Sequence, residues 1–296
     1  MGKNSAISWT HHTFNPWWGC EKPLVQIGQK VVVSPECVSC YAETWDKRCG
    51  GANWGHTASR RTFTDKHWNG PLQWNREARE SGERKRVFCL SMGDICEDRR
   101  DLDAQRDKLW PLIAKTEWLD WMLLTKRADL LETLVPASVW QLPNVWPGVT
   151  AGVQETADLR IPFLLRLKKQ YPHLIAWVSA EPLLGPLRLW KLRSLDYFEN
   201  TAGYETYPLA GMQAIPDCDW EHPRLDLVIV GGESGHKARP MEIDWVRSVR
   251  DDCTKNSVAF FFKQGSEANW LDFKYPLLDG REWKQMPHQR EVAHAD

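Results

Sequence analysis

Seven short apolar runs punctuate the chain: AISWT (6–10), RVFCLSM (86–92), LDWMLLT (119–125), NVWPGVT (144–150), LIAWVSA (174–180), LDLVIVGG (225–232) and VAFFFKQ (258–264). Several are apolar at nearly every position, the pattern of strands covered on both faces. Between them, LDAQRDKLWPLIAKT, ADLLETLV, QETADLRIPFLLRLKKQ and EIDWVRSVRDDC place apolar residues at helical spacing. Asp103 and Asp244 stand near two of the predicted helix starts, where a short carboxylate caps free backbone N–H groups. Strand alternating with helix predicts an α/β fold on a parallel sheet, a (β/α)6-7 partial TIM-like barrel. Periodicity does not fix closure, so an open doubly wound sheet is the alternative. Two stretches break the alternation, a Trp-, Gly- and Arg-rich one at 41–85 and a turn-rich one at 188–224. Both read as insertions in a single domain spanning 1–296, because long loops in compact domains are functional lids or variable additions.

In a parallel barrel the residues that follow each strand face the active site. Here they form a polar set. His11, His12, Asn15 and Cys20 follow the first strand, Ser91, Asp94 and Glu97 the second, and Thr125, Lys126 and Arg127 the third. Thr150 follows the fourth, Ser179 and Glu181 the fifth, Gly231, Gly232, Glu233 and Ser234 the sixth, and Lys263 and Gln264 end the last. Polar groups at seven strand ends point to one shared pocket. The glycine pair suits close approach of backbone N–H groups to a phosphate or carboxylate, and Glu233 is placed to accept from an amine or ribose, or to cap the next helix.

Composition narrows the class. With 26% charged and 42% hydrophobic residues the 296-residue chain reads as a soluble globular protein. A net charge of −1 removes the global basic footprint of a non-specific nucleic-acid binder. The local basic runs at 59–61, 83–86 and 166–169 have acidic neighbours and read as solvated surface. No apolar run approaches the ~18 residues of a membrane span, and MGKNSAISW lacks the apolar core of a signal peptide. A cytoplasmic setting follows as the expectation, and there thiols stay reduced and cysteine clusters bind metal more often than they pair. Eighteen tryptophans exceed what a chain of this size ordinarily carries. Most read as core walls and loop anchors, with Trp17 and Trp18 as candidates to stack on a planar ligand.

The sharpest chemical signal is Cys20 with Cys37 and Cys40, in GCEKPLVQIGQKVVVSPECVSCYAE. A tetrahedral zinc would need a fourth ligand, from His11, His12, Cys49 or Cys96. A [4Fe–4S] cluster held by three thiolates keeps one iron open to a small ligand. The position after the first strand, at the active-site end of the barrel, favours a working centre over a purely structural zinc.

The motifs FNPWWGC, SPECVSCYAE, SMGDICED, LLTKR, GVTAGVQ, SAEPLLGP, VIVGGESG, ARPM and FFFKQ, spread over about 6–264, resemble as a set a phage and bacterial three-cysteine-motif family. The CYAE ending is similar to the spore-photoproduct-lyase branch of the radical S-adenosylmethionine enzymes. The resemblance implies a radical-SAM-type partial barrel whose cluster is held by Cys20, Cys37 and Cys40. In such enzymes the open iron is chelated by the methionine part of S-adenosylmethionine, and one-electron reduction cleaves the sulfonium to a 5′-deoxyadenosyl radical. Taken with the strand-end positions, this reading makes Trp18, Ser91, Asp94, Thr150, Ser179, Gly231, Gly232 and Glu233 the expected cofactor-binding residues and Asp94, Lys126, Glu181 and Glu233 the expected catalytic ones. Arg60, Arg61, Arg127, Lys263 and Gln264 would meet a nucleic acid or nucleotide substrate. Two departures stand out. The usual CxxxCxxC spacing is opened to a first gap of sixteen residues, so that about 21–33 reads as an insertion that loops out as a hairpin. The Gly-Gly-Glu motif follows the sixth strand, not the second, where Asp94 holds the comparable place. The alternatives are a zinc-binding, nucleic-acid-associated protein without redox chemistry, or a cluster-bearing subunit that acts with a partner protein.

Overall fold

The computed structural model describes residues 2–192, 206–209, 212–213, 223–235, 237–269, 274 and 276–287. Its strands are β1 (His12–Phe14), β2 (Trp17–Trp18), β3 (Leu24–Ile27), β4 (Lys30–Val33), β5 (Arg61–Thr62), β6 (Lys85–Cys89), β7 (Leu119–Thr125), β8 (Val145–Thr150), β9 (Trp177–Ala180), β10 (Thr206–Tyr207), β11 (Met212–Gln213), β12 (Leu227–Gly231) and β13 (Ala259–Gln264). Its helices are α1 (Tyr41–Arg48), α2 (Asp65–Trp68), α3 (Gly70–Ser81), α4 (Asp103–Lys115), α5 (Leu131–Leu134), α6 (Ala137–Trp140), α7 (Gln154–Gln170) and α8 (Ile243–Lys255). Seven strands in the order β1-β6-β7-β8-β9-β12-β13 pair in parallel throughout and curl into a half-barrel. The sheet is open, and that answers the question of closure left by periodicity.

Alternation along the strands sorts the side chains onto two faces. Val87, Cys89, Trp121, Leu123, Val145, Val178, Val228, Val230, Phe260 and Phe262 pack with helix residues such as Leu109, Ile161, Val246 and Val249. Phe88, Met122, Trp146, Trp177, Leu227, Ile229 and Phe261 point to the inner face and gather round Trp9. Three tryptophans thus plug the hollow of a sheet with too few strands to close on itself. Room for them is made at Gly148, where a Cβ would stand 2.3 Å from the Trp177 ring; the same indole donates to the Trp146 carbonyl at 3.0 Å. The two open edges are covered by the segments around Lys3 and Trp283–Gln285. Lys3 bridges to His12 beside β1, and Trp283 and Gln285 exchange backbone hydrogen bonds with Phe262 and Phe260 of β13. Covered edges are what allow a seven-strand sheet to stop without offering itself to another chain.

Several expectations shift. The first strand is His12–Phe14, not 6–10: the chain turns at Ile7–Thr10 so that Trp9 drops into the hollow. Asp103 and Asp244 do not cap. They are the first residue of α4 and the second of α8 and pair with Arg106 and Arg247 one turn on, at 2.8 and 2.9 Å. In the 166–169 run Lys168 is buried against Asp226 and is not solvated surface. The stretch at 41–85 carries α1, β5, α2 and α3, and most of 188–224 lies outside the described residues. Among the described residues no helix is long and apolar enough to cross a membrane.

His11 and His12 are held neutral. His11 Nδ1 accepts the Arg86 N–H at 2.8 Å, and His12 stacks on Trp74 at 4.6 Å. Burial lowers both from the ordinary 6.5 to about 4. Between those two values the unfolded chain binds protons that the folded one refuses, so stability falls as pH drops through that window. Urea midpoints should therefore decline between pH 6.5 and pH 4, and His11→Gln should flatten the decline. Replacement of Gly148 by Ala should cost roughly 1–3 kcal/mol by overpacking against Trp177, read as a lowered melting temperature.

Candidate functional site

A cavity of about 290 Å3 opens at the C-terminal ends of the parallel strands. Its floor is the apolar inner face, with Trp9, Phe88 and Leu124; its wall is Ser91, Asp94, Thr125, Lys126, Thr150, Ser179, Glu181, Gly232, Glu233, Lys263 and Gln264. Over this wall stand Cys20, Cys37 and Cys40 with Lys22, Tyr41 and Trp54.

Cys20 is delivered by a tight crossing. Gly19 adopts a positive φ of 114°, and a Cβ there would lie 2.2 Å from the Asn53 carbonyl oxygen. Its N–H donates to the Met92 carbonyl at 2.9 Å, while the Asn15 side chain accepts from the Met92 N–H at 2.8 Å. Beyond Cys20, the Glu21 N–H donates to Glu97 at 2.8 Å, and Glu97 is itself paired with buried Arg60 at 2.5 Å. The chain then runs out and back through β3 and β4, an antiparallel hairpin turning at Gly28, and the Ser34 N–H closes its base on the Pro23 carbonyl at 2.9 Å. That closure undoes the sixteen-residue separation. Cys37 ends the 3-10 turn Pro35–Cys37, and Cys40 immediately precedes α1. The Tyr41 hydroxyl donates to the Ser91 carbonyl at 2.6 Å and ties the start of α1 to the strand ends.

Charge around the thiols comes from the residues after β7. Asp94 accepts from the Thr125 hydroxyl at 2.6 Å and the Lys126 N–H at 2.9 Å, and pairs with Arg127 at 3.2 Å. Burial would raise Asp94, but Arg127 and these hydrogen bonds hold it below the usual carboxylate range. Arg127 also donates to the Glu21 carbonyl at 2.6 Å, beside Cys20. Burial works against a charge on Lys126, yet Cys37, Asp94 and Glu36 outweigh it and raise the ammonium. Burial pushes the Cys20 and Cys37 thiols up, with Arg127 opposing at Cys20 and Lys126 at Cys37. At Cys20 the Asp94 charge adds to burial and outweighs Arg127, so both thiols are held above the ordinary thiol range and the two cations only partly offset this. At the far side, Glu181 accepts from the Ser179 hydroxyl at 3.2 Å and pairs with Lys263 at 2.7 Å. The Thr150 hydroxyl is buried in the wall without a hydrogen-bond partner among the described residues.

The three soft thiols suit iron or zinc as a donor set. Among the described residues no group of three or more His, Cys, Asp or Glu side chains is gathered as ligands of a single metal ion. The three cysteines line one cavity without forming a single-ion site among the described residues. His11, His12, Cys49 and Cys96 do not line the cavity.

Of the sequence candidates, the cavity brings together Cys20, Cys37, Cys40, Ser91, Asp94, Lys126, Thr150, Ser179, Glu181, Gly232, Glu233, Lys263 and Gln264. Others stand apart. All five N–H donors of Arg60 are taken, by Glu97 and by the carbonyls of Asn53, Gly55 and Ala58, so this member of the 59–61 run is an internal brace and not solvated surface. Arg61 is exposed and lies over the half-buried Trp18 ring at 4.8 Å and near half-buried Phe63 at 5.4 Å, outside the cavity. Arg127 lines a neighbouring cavity under the hairpin, of about 920 Å3, which shares Lys22, Pro23 and Lys126 with the first. Gly231 is not in the wall, and the Gly232 N–H donates to the Gln264 carbonyl at 3.0 Å. Glu233 accepts from the Arg239 backbone N–H and Nε, both at 2.9 Å, and from Nη2 at 2.5 Å. Sequence reasoning gave no role to Glu36, in the short 3-10 turn, or to Arg239, in a loop, because neither segment has a period to mark it; Trp54 was signalled only as one of many tryptophans, and Tyr41 only by its place in CYAE.

Residues 4–287 match a family model described as a protein of unknown function, DUF5131. The chain belongs to that family. No curated protein matches it. Among solved structures it is similar to a spore photoproduct lyase mutant with bound AdoMet and dinucleoside spore photoproduct, at 12% identity and a TM-score of 0.41 over 62% of this chain and 48% of that one. Spore photoproduct lyase complexed with dinucleoside spore photoproduct matches at the same identity and score, over 62% of this chain and 49% of that one. The chain thus spans about half the length of these structures.

Because Arg60 and Glu97 are buried together, Arg60→Met should destabilise the fold by about 3–5 kcal/mol through the uncompensated carboxylate. A melting curve with a loss of that size marks Arg60 as a brace; an unchanged melting temperature would return it to the surface.

Proposed function

We propose that this DUF5131 protein is an iron–sulfur enzyme of radical S-adenosylmethionine type acting on a nucleotide or nucleic acid substrate. The observation that carries the reading is that Cys20, Cys37 and Cys40 line one cavity at the strand C-termini although sixteen residues, which fold away around a hairpin, separate the first two. A [4Fe–4S] cluster held by Cys20, Cys37 and Cys40 would supply single-electron chemistry at this cavity. The chain's own residues prepare the site. Lys126 and Arg127 hold positive charge beside the Cys37 and Cys20 sulfurs and partly offset the burial and, at Cys20, the Asp94 charge that disfavour their ionised forms. Asp94 keeps both cations in place through its contacts after β7. Thr150, Ser179 and the Glu181–Lys263 pair offer a hydroxyl, a carboxylate and an ammonium to the polar groups of a cofactor or substrate. Trp9, Phe88 and Leu124 close the floor against water. Outside the cavity, the Arg61–Trp18–Phe63 stack is the kind of surface on which bases and phosphates rest.

Protein purified without oxygen should be brown and carry about four irons per chain. Cys37→Ala should lose most of that iron, and adding S-adenosylmethionine should change the electron paramagnetic resonance spectrum of the reduced protein. A colourless protein with one bound zinc would replace this reading with the zinc one. An unchanged iron content in Cys37→Ala would remove Cys37 from the ligand set.

A further inference from the structure

The 3-10 turn Pro35–Cys37 is tied to the barrel from two sides. We propose that Glu36 and Arg239 are positioning residues that set where the Cys37 sulfur stands in the cavity. The inference rests on the reading of Cys37 as a cluster ligand.

Glu36, the residue before Cys37, is buried among groups supplied by Ser34, the loop after β8 and α7. Its Oε1 accepts from the Gly152 N–H at 2.8 Å and the Thr156 hydroxyl at 2.5 Å, and its Oε2 accepts from the Ser34 hydroxyl at 2.5 Å. Arg160 Nη1 stands 3.4 Å from Oε1, and Nη2 donates to the Ser34 hydroxyl at 2.7 Å. Arg160 is in turn fixed to the end of β8 by a 2.7 Å bond to the Thr150 carbonyl. On the other side Arg239 Nη2 donates to the Pro35 carbonyl at 2.9 Å, while the same guanidinium is held by Glu233. The turn is closed locally by the Cys37 N–H on the Ser34 carbonyl at 2.8 Å.

The backbone on the N-terminal side of Cys37 is thereby fixed by contacts to residues more than a hundred positions away. With the backbone held, the sulfur has only the staggered χ1 wells to choose among. This gives Glu233 a task other than contact with a ligand: its carboxylate steers Arg239, and Arg239 steers the turn. A half-pinned turn would leave the second thiol free to wander from its two companions.

Thiol labelling of the iron-free protein tests this without needing any cluster. Cys89, Cys96 and Cys253 are buried in the core and report global opening, while Cys49 is exposed and reports reagent activity. N-ethylmaleimide labelling of each cysteine, followed by mass spectrometry, should show Cys37 reacting roughly ten- to a hundredfold faster in Glu36→Gln and Arg239→Met, as expected when a charged hydrogen bond holding a local opening is lost. The three core thiols should stay slow. Thr156→Val, which removes one hydrogen bond to Glu36, should give a smaller rise and serves if Glu36→Gln does not fold. Arg239→Lys should restore part of the protection by keeping one donor. Unchanged Cys37 labelling in folded Thr156→Val and Arg239→Met would overturn the proposal. So would a parallel rise at Cys89, Cys96 and Cys253, which marks the network as merely structural. Iron uptake separates the two readings. Accelerated Cys37 labelling in a protein that never takes up iron leaves the clamp standing and removes the cluster. Unchanged labelling in a protein that does take up iron removes the clamp alone.

Discussion

Three buried carboxylates, each paired with an arginine, hold the cysteine loops against the ends of the sheet. Glu97 with Arg60 fixes the chain just after Cys20, Asp94 with Arg127 binds the residues after β7 to the same spot, and Glu36 with Arg160 fixes the turn that ends in Cys37. Removing such charges from water is costly, and the cost is offset only when the remaining lone pairs and donors are also satisfied. The carboxylate lone pairs are met by backbone N–H groups of Glu21, Lys126 and Gly152 and by hydroxyls of Thr125, Ser34 and Thr156, while Arg160 Nε stays buried without a hydrogen-bond partner among the described residues. Burial would raise the Glu36 carboxyl, but Arg160 and three hydrogen bonds bring it down to about 2, so the brace keeps its charge through the neutral range. Directional, charge-assisted contacts fix loop positions in a way that apolar packing does not, and three otherwise irregular segments are brought to one cavity.

The sheet beneath sets the scale of that cavity. Alternation sends one set of side chains to the helices and the other to the hollow, where Trp9, Trp146 and Trp177 take up the volume that further strands would have filled. Their bulk leaves an apolar floor under a polar rim, a division in which charges at the rim act through a medium less polarisable than water. Covered edges on β1 and β13 make the open form self-sufficient.

Much of the scaffold was legible in the chain. The runs at 119–125 and 258–264 became strands with boundaries within one residue of those read, and 154–170 became a helix from end to end, because strands buried on both faces and long amphipathic helices write their periods plainly. The first strand was not, since AISWT is apolar for a different reason: it turns, and its tryptophan serves the hollow. At the site, the polar residue after each strand was readable from topology alone. Which of those residues are braces was not, because a partner for Arg60 or Glu233 is a matter of distance in space and leaves no mark in local pattern.

By itself, then, the sequence determined the alternation of strand and helix, the polar crown at the strand ends and the three thiols as a set, all of which follow from spacing along the chain. Only the tertiary structure decided that the sheet stays open, that the sixteen residues between Cys20 and Cys37 fold away as a hairpin, and that Glu36 and Arg239 hold the turn between them and the barrel. Those outcomes depend on contacts between residues far apart in sequence, where packing volume and buried charge pairing, and not local propensity, select the arrangement.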